Sequence, residues 1–123
     1  MKTVNYLLIF AFFMANIAFA QSEVKTDQKE TTMKTYVIER NVPGAGNLTA
    51  EELKAISQTS CGVLKNMGDG IIWDHSYVVG EKIFCIYQAL NEELVKEHGA
   101  KGGFPVDAIY EVKSIISPAT AGY

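Results

Sequence analysis

From Met33 onward the apolar positions switch between a period of two and a helical period, and Gly or Pro marks most of the switches. Lys34–Asn41 (KTYVIERN) is rich in β-branched and aromatic residues and reads as a strand. Pro43-Gly44-Ala45-Gly46 breaks it. Thr49-x-x-Glu52 is a capping box, in which hydroxyl and carboxylate each satisfy an orphan amide, and Leu53, Ile56, Val63, Leu64 and Met67 follow at helical spacing. Gly68 and Gly70 end that helix. Ile71–Val79 (IIWDHSYVV) and Lys82–Ala89 (KIFCIYQA) read as strands joined by Gly80-Glu81, a two-residue hairpin turn. Asn91 caps a second helix that carries Leu94, Val95 and His98 and ends at Gly102-Gly103, before Pro105. Val106–Ile116 (VDAIYEVKSII) reads as a fourth strand, and Ser117 to Tyr123 as a polar tail.

The order βαββαβ specifies an α+β, ferredoxin-like unit, with a four-stranded antiparallel sheet and both helices on one face. Its other face should be polar in a monomer. Strict alternation places Ile71, Trp73, His75, Tyr77 and Val79 on one side of the second strand, with Ile72 and Val78 on the other. In the third strand Ile83, Cys85 and Tyr87 oppose Phe84 and Ile86. A sheet apolar on both faces with helices on only one needs a second cover. The simplest cover is another copy of the chain, sheet against sheet, which predicts a two-fold homodimer.

Residues before Met33 follow neither period. Lys2, the apolar run Tyr6–Phe13 and Ala18-Phe19-Ala20 read as a secretory signal peptide over residues 1–20, cleaved after Ala20. Residues 21–32 (QSEVKTDQKETT) hold one apolar residue, Val24, and read as a flexible tether. The folded domain is then 33–121, and a unit of about 90 residues is large enough to fold alone. A periplasmic or secreted location follows, with no integral membrane segment in the mature form. The net charge of −3 supplies no basic patch for phosphates, which argues against nucleic acid as a partner.

The segments YVIER (Tyr36–Arg40), WDHSYV (Trp73–Val78), FCIY (Phe84–Tyr87) and EHGAKGGFPVD (Glu97–Asp107) resemble the small bacterial nickel-responsive, nickel-binding proteins. That resemblance implies a ferredoxin-like fold paired into a dimeric α/β barrel, with nickel as the bound ion. The leader and tether depart from the family pattern.

Two imidazoles are available, His75 on the second strand and His98 on the second helix. Leu94 and His98 share a helical face that packs toward the strands, and Glu39 lies at the centre of an apolar strand. If His75, His98 and Glu39 converge, two nitrogens and a carboxylate suit Ni(II), and suit Cu(II) or Zn(II) as well. Tyr77 and Tyr87 are candidates to hold an imidazole from an outer shell, and Trp73 to line a pocket. Each histidine also has a plain structural reading, as a packed core residue or as a charge at a helix end.

Cys61 and Cys85 lie on a helix and a strand that face each other, so a disulfide is geometrically open in an oxidising compartment. Two other functional classes stand beside metal binding. One is an isomerase or monooxygenase acting on a small aromatic or lactone substrate, with a histidine as base beside a cleft. The other is a non-catalytic interaction module.

Overall fold

The computed structural model describes residues 32–122. The signal segment, and all of the tether except Thr32, lie outside the described residues. The elements run β1 (Lys34–Asn41), α1 (Ala50–Lys65), β2 (Ile71–Val79), β3 (Lys82–Ala89), α2 (Glu92–Gly102) and β4 (Ala108–Glu111), with short 3-10 turns at Ala45–Asn47 and Pro118–Ala121. The strands form one antiparallel sheet in the order β2-β3-β1-β4. This is the α+β, ferredoxin-like arrangement expected from the pattern.

Local chemistry sets the ends of these elements. Thr49 caps α1 by accepting the Glu52 amide at 3.2 Å, and its hydroxyl donates to the Glu52 carboxylate at 3.1 Å. The carboxylate therefore takes the hydroxyl proton, where a full capping box would have it take the Thr49 amide. Asn91 caps α2 by accepting the Leu94 amide at 3.0 Å. Helix α2 stops at Gly103, which has φ +70°, a left-handed conformation that costs glycine little. Gly80 turns the β2–β3 hairpin, and its carbonyl accepts the Gly46 amide at 2.7 Å, so the loop after β1 is fastened to the hairpin tip.

One buried layer lies between the sheet and the helices. Tyr36, Ile38, Ile71, Ile83, Cys85, Tyr87 and Ala89 from the strands meet Val95 of α2, with Leu48, Leu64 and Leu94 packed around them. Ile38 and Val95 are fully buried, each contributing roughly 1.5–3 kcal/mol by leaving water.

Two features differ from the sequence expectation. The fourth strand spans only Ala108–Glu111, shorter than Val106–Ile116. It pairs with Tyr36 to Glu39, one more bond from the Val112 amide to the Thr35 carbonyl follows at 2.8 Å, and β1 begins at Lys34, so the ladder runs out. Second, a β-bulge between Trp73 and His75 leaves Asp74 outside the pairing register. An extra residue in one strand inverts the facing of everything after it. Ile71, Trp73, Ser76 and Val78 stand opposite Ala89, Tyr87, Cys85 and Ile83 on the helix side. Ile72, His75, Tyr77 and Val79 stand on the open side. The single-sided row from Ile71 through His75 to Val79 is therefore not formed.

Candidate functional site

The bulge decides which face of the sheet His75 takes. His75 pairs with Ile86, which pairs with Val37, and Glu39 pairs with Phe84, so His75 and Glu39 share the open face of the sheet. His98 projects from α2 into the layer beneath the opposite face, where it is 0% exposed. The sheet stands between the two imidazoles, and His75, His98 and Glu39 do not converge.

On the open face His75 is exposed, and its Nε2 lies 3.0 Å from the Tyr77 hydroxyl, with the rings edge-on at 4.9 Å. The hydroxyl fixes one ring nitrogen and leaves Nδ1 as the other point of attachment. Glu39 is engaged by Lys82, whose Nζ donates at 2.7 Å. That bond, with the carboxylate's charge, raises the Lys82 pKa above its ordinary value. Asp74, displaced by the bulge, accepts from the Gln88 amide at 3.2 Å. Around these groups Ile72 is 50% exposed, Tyr77 56%, Val79 55% and Tyr110 55%.

On the helix side His98 Nε2 lies 3.1 Å from the Ser60 hydroxyl, and its ring stacks on Phe104 at 5.6 Å and leans against Tyr87 at 5.2 Å. Its Nδ1 has no hydrogen-bond partner. Burial first, and the positive charge of Arg40 second, hold the imidazole below its usual pKa, so it is neutral at pH 7. Tyr87 is shifted upward, chiefly by burial. Arg40 stands on the same face of β1 as Tyr36 and Ile38, 3% exposed, beside a cavity of about 410 Å³ between α1, the sheet and the loop after α2. Trp73 lines that cavity, and its indole N–H donates to Ser76 at 2.9 Å.

Comparison with known proteins follows these contours. A family model described as nickel responsive protein SCO4226-like matches residues 36–112. The chain belongs to the SCO4226-like family. Its fold is similar to the crystal structure of SCO4226 from Streptomyces coelicolor A3(2), with a TM-score of 0.56 and 19% identity over 67% of this chain and 99% of that one. Comparison with curated proteins finds no match.

For this family member the donor set can be tested directly. Among the described residues no group of three or more His, Cys, Asp or Glu side chains is placed to hold a metal ion. The described residues of one protomer therefore do not by themselves complete a nickel centre. Cys61 is exposed on α1, Cys85 is buried in β3, and both are free thiols, so the disulfide left open by the sequence is not formed. Arg40 and Ser60 were not among the residues the sequence singled out. A signal existed for Arg40: it follows Tyr36 and Ile38 at a period of two, the spacing that carries a residue onto the core face. Among the described residues no helix is long and apolar enough to cross a membrane.

Proposed function

We propose that this protein is an exported homodimer that binds a divalent transition metal, nickel foremost, through His75. One observation supports the reading above others. In a member of a nickel-responsive family, an exposed imidazole held by Tyr77 stands on a sheet face that is itself apolar and uncovered. Imidazole suits Ni(II), and a second copy laid sheet to sheet brings a second His75 toward the same interface. Asp74 and Glu39 are the carboxylates on β2 and β1 nearest that role, each first having to leave Gln88 or Lys82. Export rests on the leader sequence of residues 1–20.

The test is metal uptake by the mature protein, with His75→Ala and His98→Ala alongside. Stoichiometric Ni(II) binding is expected, weakened at least about tenfold in His75→Ala and little changed in His98→Ala, because removing one ligand costs more than about 1.4 kcal/mol. Protein that takes up none of Ni(II), Cu(II) or Zn(II) ends the metal reading. A light-scattering mass of one protomer ends the dimer.

A further inference from the structure

The helix-covered layer contains a cation with no counterion. Arg40 donates through Nε to the Cys85 sulfur at 3.3 Å and through Nη1 to the Pro105 carbonyl at 2.7 Å, and its guanidinium carbon lies 5.5 Å from the centre of the Phe104 ring. Its Nη2 has no hydrogen-bond partner. The ion pairs among the described residues belong to Lys82, Lys96, Lys101 and Lys113, and none reaches Arg40. The ionisable groups in contact with it include His98 on α2, kept neutral, and Tyr87 and Cys85 on β3; the carboxylate of Asp107, in the loop that supplies Pro105, accepts the Asn41 amide at 2.6 Å and makes no ion pair with Arg40. A buried charge left unpaired is costly, and the usual remedy is an anion with hydrogen-bonding oxygens.

Arg40 also lines the cavity of about 410 Å³, a volume in the range of small-molecule sites. Leu53, Ile56, Val78 and Ile83 help make its walls largely apolar; Ser60 and Tyr87 stand with Arg40 as polar lining residues, while the Ser57 hydroxyl donates to the Leu53 carbonyl and the Ser76 hydroxyl accepts the Trp73 indole N–H. We propose that this cavity binds a small apolar carboxylic acid in its ionised form, with the carboxylate at the Arg40 end of the cavity, answering the guanidinium charge, and the hydrocarbon between α1 and the sheet. The wall chemistry selects the class. One guanidinium without a counterion balances a single negative charge, whereas a phosphate dianion would bring a second charge that no residue there answers. This site shares no residue with the metal reading and stands or falls apart from it.

Trp73 is the chain's single tryptophan and lines the cavity, so its fluorescence reports occupancy. The mature protein, held metal-free with chelator, is titrated with octanoate and benzoate and with the uncharged 1-octanol and benzyl alcohol. At least one acid is expected to give a saturable change, at least about tenfold tighter than its alcohol, a difference of about 1.4 kcal/mol. Arg40→Met should reduce that preference below about threefold, and Ser57→Phe, which fills the cavity from α1, should abolish both responses. His75→Ala should leave them intact. Three results overturn the proposal: no saturable change with either acid at millimolar concentration, equal binding of acid and alcohol, or a preference that survives Arg40→Met. If Arg40→Met fails to fold, the acid-to-alcohol ratio in the parent protein and the Ser57→Phe response decide the question.

Discussion

The two faces of one four-stranded sheet carry similar numbers of apolar side chains and have opposite fates. On the helix side, Tyr36, Ile38, Cys85 and Tyr87 are buried, and the polar groups among them, Arg40, Ser60 and His98, are buried as well. On the open side Ile72, Tyr77, Val79 and Tyr110 remain about half exposed, and His75 stands in water. The same residue type is therefore two different chemical groups. His98 is a neutral imidazole with its pKa lowered by burial and by Arg40, whereas His75 is an exposed imidazole with one nitrogen on Tyr77. The proposed metal donor stands on the exposed face, and the proposed acid site on the face where a cavity adjoins Arg40.

The most severe way to break this contrast is to insert one residue between His75 and Ser76. The insertion turns residues 76–79 over, bringing Tyr77 and Val79 against the core and Ser76 and Val78 into water. It is expected to cost about 3 kcal/mol or more in urea unfolding, or to prevent folding. Next is a pair of truncations. Ile38→Ala on the helix side should lose about 2–5 kcal/mol, and Ile72→Ala on the open side less than about 1 kcal/mol, in the monomeric state at high dilution. If the open face is covered by a second copy, the Ile72 cost grows with protein concentration and the Ile38 cost does not.

A smaller effect separates the two histidines by pH. His98 is depressed in the folded state below 6.5, so the unfolded chain takes up its proton first as the pH falls. Its contribution is present in full above that value and is lost as the pH drops from there toward the folded pKa. Urea midpoints measured at pH 7.5, 6.0 and 5.0 should fall accordingly, the His98 part disappearing in His98→Gln and persisting in His75→Ala. Smallest of all is the surface pair on the open side. Glu39→Gln removes the partner of Lys82 and should leave the urea midpoint almost unchanged in 0.15 M salt, because an exposed pair gains little in water. A marked loss there would mean that Glu39 works beneath an interface.

Much of this molecule was written in the chain. The two periods, Thr49, Asn91, the Gly80 turn and the Gly102-Gly103 stop specified a βαββαβ order because each acts on neighbours within a few residues. The third strand's alternation, with Ile83, Cys85 and Tyr87 inward, was equally local. The second strand's was not, because nothing in IIWDHSYVV marks Asp74 as the residue to be left out. A bulge is chosen by the fit of two strands to one another, and here it places Trp73 opposite Tyr87 and yet brings Ser76 opposite Cys85. That one residue of register moved His75 to the face of Glu39 and away from His98. Arg40 shows the same boundary from the other side. Its period-two position made it a core-facing residue in the sequence, but that its charge would find no carboxylate depended on what α1, α2 and the loop after α2 brought against it. Short-range patterns set the elements, and tertiary packing decided which polar groups were paired, which were left over, and on which face each could act.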